Sequence, residues 1–255
     1  MWARYDARLP MMLPASSLLL PLYTSAPHAC SYLPGREARS QVVALHTPVS
    51  SSLHAQLLAH GFRRSGQFVY RPWCNDCRAC VPVRVAVAHF VPSRTQRRIS
   101  TRNAHLTLRE VSRAPSDEQY ALFLRYQRTR HPGGGMDQDS PQQYARFILE
   151  THTDSRLLEA RDADGALCLV MLIDVADSGL SAVYTFFDPE RPKDSLGTWG
   201  ILRQIALCQQ LGLPYLYLGY WIANSEKMAY KNRFSALQYF YASRWHDIPP
   251  PCLTT

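Results

Sequence analysis

The turn DADG at 162–165 lies between RLLEAR and the apolar run ALCLVMLIDVA, and a further turn leads into LSAVYTFFDP. Tight turns between runs of this length join antiparallel neighbours, so the three segments read as a meander. Whatever flanks the meander must cover it. DEQYALFLRYQRTRH precedes it as an amphipathic helix with acids at its start and bases at its end, matching the helix dipole, and HPGGG ends it. SPQQYARFILETH is a second helix, with Ser140 as N-cap and Pro141 in the first helical position. After the meander come a helix, SLGTWGILRQIALCQQLG, a strand, PYLYLGYWI, and a further helix, SEKMAYKNRF.

This order of elements resembles the GNAT-like acyltransferase fold. There a central strand splays from its neighbour, and the next helix begins with a loop whose backbone amides bind an acyl carrier. The expected fold class is therefore α/β (α+β), a GNAT-like acyltransferase core with an N-terminal cysteine- and arginine-rich subdomain. The divisions are an N-terminal extension at 1–20, a Cys/Arg-rich transferase domain at 21–113, the aminoacyl-transferase core at 114–245 and a tail at 246–255. In the N-terminal half, QFVYRPW and VPVRVAVAHF alternate as half-buried strands do, with a cysteine loop between them.

The formal net charge of +8 is unevenly placed. Residues 61–113 carry eleven arginines against Asp76 and Glu110, so that segment nets +9 and the rest of the chain −1. A local excess of this size points to a polyanionic partner rather than to general composition. Arg94, Arg97, Arg98 and Arg102 recur at helical spacings and share one face, which suits an anion and equally a solvated surface. With 46% hydrophobic and 19% charged residues the chain is not disordered. Seven cysteines, an odd count with three in one cluster, fit metal binding in a reducing compartment better than disulfides. The first twenty residues lack the tripartite pattern of a signal peptide, because Asp6, Pro10 and Pro14, with Pro21 just beyond, interrupt it. They read as an extension, or as a start upstream of Met11 or Met12. No window approaches the ~20 consecutive apolar residues of a spanning helix.

Two segments carry chemistry. In DPERPKDSLGTWG a polar loop leads to a helix start near Ser195, and Gly197 and Gly200 leave backbone amides open to phosphate or serve close helix–sheet packing. In YLYLGYWIANSEKMAYKNRFSALQYF, aromatic residues interleave with Lys227, Lys231 and Arg233, which offers stacking faces and phosphate contacts to a nucleic-acid end, or else an aromatic core.

CSYLPGREA, GFRRSGQFVYRPWCNDCRACVPVR, FVPSRTQRR, RHPGGGM, VYTFFDPE with SLGTWG, and YLGYWIANSEKMAYKNRF together resemble the bacterial aspartate/glutamate leucyltransferases, relatives of arginyl-tRNA–protein transferase. The motifs run in order from about residue 20 to 240. The resemblance implies a cytoplasmic N-degron enzyme that moves leucine from leucyl-tRNA to the α-amine of proteins beginning with Asp or Glu, without an organic cofactor or a membrane. Two alternatives are an arginyl transferase with the same acceptors and a tRNA-binding module without activity. A small-molecule N-acetyltransferase leaves the basic half unexplained.

Aminolysis of an activated ester needs a neutral amine, alignment and oxyanion stabilisation. Position makes Tyr184, Asp188, Ser195, Tyr220 and Asn224 the catalytic candidates. Gly197, Gly200, Lys227, Lys231 and Arg233 are candidates for the tRNA end, and Arg94, Arg97 and Arg98 for acceptor or tRNA. Family members carry a Pro and an acid near positions 236 and 238, where this chain has Ala236 and Gln238, which bears on donor choice.

In WCNDCRAC, Cys74, Cys77 and Cys80 are one thiol short of a tetrahedral site. Cys30, the other cysteine of the N-terminal half, is the candidate fourth ligand, with His28 as a weaker one. The resemblance implies that these regions meet. Four thiolates suit zinc or an iron–sulfur cluster, and a reduced metal-free cluster remains the alternative.

Overall fold

The computed structural model describes residues 6–7, 11–12, 19–43, 45 and 47–251. Most of the N-terminal extension and Cys252 lie outside the described residues. Within the extension, β1 (Asp6–Ala7) pairs with β4 (Leu22–Thr24), and β2 (Met11–Met12) pairs with β3 (Leu19–Leu20).

The N-terminal lobe continues with a two-stranded ribbon, β5 (His28–Ala29) and β6 (Glu37–Ala38), then β7 (Ser40–Val43), α1 (Ser51–Ala59), β8 (Arg63–Ser65) and β9 (Phe68–Pro72). Its five-stranded sheet runs β1-β4-β7-β9-β8. Leu22, Val43, Leu57, Phe62 and Val69 fill the space between sheet and helix.

The core is an eight-stranded sheet. Its elements are β10 (Val81–Ala86), α2 (Arg94–Arg102), β11 (Thr107–Val111), α3 (Asp117–Arg130), α4 (Pro141–Leu149), β12 (Asp154–Arg161), β13 (Leu167–Ala176), β14 (Gly179–Phe187), α5 (Leu196–Gln210), β15 (Tyr215–Trp221), α6 (Glu226–Ala229), β16 (Leu237–Tyr241) and β17 (Arg244–His246). The strand order is β11-β12-β13-β14-β15-β10-β16-β17. The expected meander is β12-β13-β14, antiparallel throughout. β13 reads as continuously apolar because both its faces are covered. Leu169, Met171 and Ile173 pack in the cluster with α5, and Val170 and Leu172, one residue out of phase, pack with Phe123, Tyr144 and Ile148 of α3 and α4.

The parallel step expected of the core lies between β14 and β15. They pair only from Gly179–Ser181 to Tyr215–Tyr217 and then separate. The first pair is close: Gly179 has φ +154°, and a Cβ there would stand 2.1 Å from the Tyr215 carbonyl oxygen. Beyond it the strands form an open V, with β14 leading to α5 before the chain returns as β15. This is the GNAT-like arrangement expected from the element order.

Three details differ from the expectations. β10 comes from the N-terminal half yet lies between β15 and β16, so the core sheet draws on both sides of residue 113. Its central place buries Val81, Val83, Arg84, Val85 and Ala86 instead of alternating them. SEKMAYKNRF forms only the short α6 followed by a 3-10 turn at Tyr230–Arg233. Among the described residues, no helix is long and apolar enough to cross a membrane.

Candidate functional site

The V between β14 and β15 leaves backbone groups without a ladder partner, which buried backbone does not tolerate. Arg63 of β8 enters it. Its Nη2 donates to the Val183 carbonyl of β14 at 2.5 Å. On the other side it lies over Gly219 of β15, where φ is +73° and a Cβ would stand 3.0 Å from Nη1. Arg63 Nε is buried without a hydrogen-bond partner. Burial opposes the Arg63 charge, but the phenol oxygens of Tyr70, Tyr32, Tyr220 and Tyr230 outweigh it and hold the guanidinium above its ordinary value.

Tyr184, one residue beyond Val183, accepts from Gln127 Nε2 at 2.8 Å. Burial raises its pKa, and Asp139 adds to the rise. Tyr126 lies 4.9 Å from the Phe187 ring, centroid to centroid, and burial with Tyr184 and Tyr230 raises its pKa too. The walls of the V are therefore neutral phenols, amphipathic surfaces that pack and hydrogen-bond at once. Asp139 is a half-buried carboxylate held above its ordinary value by burial and by Asp137.

At the mouth of the V, α2 ties two segments together. Its capping residue Gln96 accepts from the Ser93 amide at 2.8 Å and donates to the Arg233 carbonyl at 3.2 Å. At the other end Arg102 donates to the Lys193 carbonyl, and Asn103 Nδ2 to the Asp194 carbonyl at 2.8 Å. The arginine helix thus bridges the turn carrying Arg233 and the loop before α5. Arg94, Arg97, Arg98 and Arg233 are exposed. Ser195 begins α5 in the left-handed region, φ 53°, and makes no side-chain capping bond. The first-turn amides are not covered by a cap, as an anion site requires.

Several sequence candidates occupy other places than expected. Tyr220 is buried, and its hydroxyl donates to the carbonyls of Tyr70 at 3.0 Å and Gly61 at 3.3 Å. It fastens the N-terminal lobe to β15, and its one hydroxyl proton is committed to these backbone carbonyls. Lys231 is buried with Nζ on the Tyr220 carbonyl, and burial followed by Arg63 brings its pKa down to about 7, so it does not face a phosphate. Gly200 is buried, and a Cβ there would meet Met171 Sδ at 3.1 Å and Leu169 Cδ1 at 3.2 Å, which makes it a packing glycine. Gly197 lets the Phe187 ring approach α5, since a Cβ would lie 2.9 Å from Cε1. Asp188 accepts from the Glu190 amide and pairs with Arg191 at 3.5 Å. Asn224 and Lys227 are exposed. Gln238 accepts from Arg84 Nε at 2.9 Å and donates to Asp247 at 3.0 Å, bridging β10 to the segment after β17. Arg63, Gln127 and Asp139 are not singled out by sequence; the adjacent arginines in GFRRSG are the one local signal of them.

Cys30, Cys74, Cys77 and Cys80 are brought together. Burial pushes the Cys80 thiol up to about 12, and Cys30, Cys74 and Cys77 add to the shift. All four are free thiols. Their chemistry suits zinc or iron–sulfur, but among the described residues no group of three or more His, Cys, Asp or Glu side chains is arranged to hold a metal ion. His28 instead hydrogen-bonds to the Ala26 carbonyl. As placed, the thiols do not form a ligand set.

A half-open strand pair followed by an uncapped helix start is the layout of an acyl transferase. The chain's own relatives are of that class. It belongs to the arginine-tRNA-protein transferase family: the model of the family's N terminus matches residues 28–98, and that of its C terminus residues 118–241. It is therefore an aminoacyltransferase, with an aminoacyl-tRNA donor and a protein acceptor. Curated relatives include the aspartate/glutamate leucyltransferases of Thiobacillus denitrificans, 53% identical over 89% of this chain and 94% of that protein, and of Chromobacterium violaceum, 49% identical over 89% and 93%. That of Nitrosospira multiformis is 49% identical over 91% of this chain and 92% of its own. Among solved structures, FemX is more remote, with a TM-score of 0.46 and 8% identity over 88% of this chain and 81% of that one.

Proposed function

We propose that this chain moves leucine from leucyl-tRNA to the α-amine of proteins beginning with Asp or Glu, in the cytoplasm, so that the added leucine marks them for degradation. The observation that carries this reading is the α2 clamp. One helix joins an exposed arginine face to the uncapped start of α5 beside the V, so a tRNA end and the ester it carries fit one continuous surface. The names of the relatives support leucine as donor and Asp or Glu as acceptor.

The reaction is an ester aminolysis. The acceptor amine attacks the ester carbonyl, the new amide bond forms, and the ester bond to the terminal ribose breaks. The amine's proton leaves and the ribose oxygen takes one up, so no redox partner is needed. An α-amine with a reference pKa of about 7.7–8.0 is partly neutral at physiological pH. Asp139, with its raised pKa and its place within electrostatic reach of Tyr184, is the carboxylate suited to accept the proton. The neutral Tyr184 phenol, fixed by Gln127, is suited to donate to the developing oxyanion. Arg94, Arg97, Arg98, Lys227 and Arg233 hold tRNA phosphates. The test supplies purified protein with leucyl- and arginyl-tRNA separately and with peptides starting in Asp, Glu, Lys or Ala. Label moving from leucyl-tRNA to the Asp and Glu peptides alone is the expected result. Transfer from arginyl-tRNA instead overturns the donor, and tRNA binding without transfer overturns the activity.

A further inference from the structure

A guanidinium that enters a protein's interior is normally met by a carboxylate. The neighbour Arg64 follows that rule, with Asp174 at 2.7 Å. Arg63 does not. Among the described residues no carboxylate pairs with it, Nε has no partner at all, and one backbone carbonyl is its recorded acceptor. Yet the residue is half-buried rather than sealed, at the open side of the β14–β15 V, and phenols surround it. A guanidinium with one nitrogen on a backbone carbonyl and Nε unpaired, in a water-poor setting, is matched by one ligand group above others, a carboxylate that accepts two parallel hydrogen bonds.

We infer that Arg63 reads the side-chain carboxylate of the acceptor's first residue and so sets the preference for Asp and Glu over Asn and Gln. The inference rests on the acceptor half of the proposed function and is independent of which amino acid is donated. Geometry favours Arg63 over the exposed arginines of α2, because only a partly desolvated guanidinium discriminates a carboxylate from its isosteric amide strongly; in water the two differ little. The bond to Val183 positions the fork against β14, and the absence of a side chain at Gly219 leaves room for the guanidinium.

The test uses the whole 255-residue chain. Arg63→Gln removes the charge, and Arg63→Lys keeps it without the fork. For Asp- and Glu-initiated peptides, Arg63→Gln raises KM by roughly 30-fold or more, the range for removing one partner of a desolvated charge pair. Its Asp-over-Asn preference collapses toward unity, while leucyl-tRNA binding stays within about twofold of wild type. Arg63→Lys falls between. A variant that keeps the wild-type Asp-over-Asn ratio overturns the inference, even if it is less stable, since a merely structural bridge would leave that ratio unmoved. Should neither variant fold, the wild type still decides. Modification of arginines by phenylglyoxal, mapped by mass spectrometry, is slowed at Arg63 by an Asp-initiated peptide and not by its Asn counterpart. Equal labelling with both peptides overturns the inference. Because protection is read without tRNA, a failure of leucyl transfer alone leaves it standing.

Discussion

Arg64 and Asp174 meet in a two-pronged ion pair, Nε to Oδ2 and Nη2 to Oδ1, both at 2.7 Å, with Ser155 Oγ donating to the same carboxylate at 2.5 Å. Neither charge reaches solvent. The pair joins β8 of the N-terminal lobe to β13, an inner strand of the core sheet, one residue away from Arg63.

Asp174→Leu leaves the Arg64 charge buried and unpaired. We expect a loss of about 3–5 kcal/mol, whereas the double variant Arg64→Met/Asp174→Leu loses markedly less, because no uncompensated charge remains. Urea unfolding of both variants checks this. A double variant that loses as much as Asp174→Leu alone, or more, would show that the unpaired Arg64 charge is not what destabilises the single variant.

His54 adds a pH dependence. It is buried, lies 3.9 Å from Asp174, and has Nδ1 without a partner. Burial lowers its pKa, with Arg64 acting in the same sense and Asp174 against. The folded His54 therefore stays neutral at a pH where the unfolded chain takes up a proton. Between the ordinary histidine value of 6.5 and the depressed folded value the unfolded state binds more protons, so stability falls as pH falls through that window. His131, lowered by burial and then by Lys227 and Arg130, acts in the same direction. Unfolding midpoints measured from about pH 7 downward should decline less steeply in His54→Gln than in wild type, and an unchanged slope counts against the assignment.

The exposed α2 face separates binding from stability. Replacing Arg94, Arg97 and Arg98 together by Gln should weaken tRNA binding and lower the salt slope by up to about 0.9 for each phosphate no longer neutralised. Each substitution should change folding stability by no more than about 0.5 kcal/mol, since the side chains lie in water. Filter binding over a salt series, with a thermal melt beside it, reads both. An unaltered slope would move the tRNA surface elsewhere.

What the sequence discloses here follows from how local each cause is. The meander is legible because turn chemistry and apolar runs are local, and α2 is legible because Arg94, Arg97, Arg98 and Arg102 recur at helical spacings. The two adjacent arginines of β8 look alike in sequence. Strand alternation sends them to opposite faces, and only Asp174, more than a hundred positions away, pairs one and leaves the other open. Lys231 reads as a surface lysine among aromatics because nothing local signals the 3-10 turn that folds it under β15. Tyr220 fails as a catalytic candidate for a similar reason, since its hydroxyl partners belong to another lobe.

Lys227 and Lys231 should therefore behave differently although they sit four residues apart. Lys227→Gln should weaken tRNA binding and reduce its salt slope, while Lys231→Met should leave that slope unchanged. Lys231→Met should instead alter stability. With the folded amine at about 7 and an ordinary value of 10.5, the unfolded chain holds the extra proton between them, so wild-type stability gains a rising contribution with pH across that window. The Met variant lacks the rise. Equal effects of both substitutions on the salt slope would return Lys231 to the tRNA surface.

Gly219 tests the seat of Arg63 from the other side. A residue with a side chain at φ +73° costs about 1–2 kcal/mol. In Gly219→Ala the new methyl would also stand 3.0 Å from Arg63 Nη1 and 3.3 Å from its Cδ, so the guanidinium must shift within the V. The expected outcome is a loss of stability of that size together with a reduced Asp-over-Asn preference, at unchanged affinity for leucyl-tRNA. Peptide kinetics with paired Asp and Asn acceptors measures the preference. If stability drops while the preference holds, the position of the Arg63 fork does not govern acceptor choice.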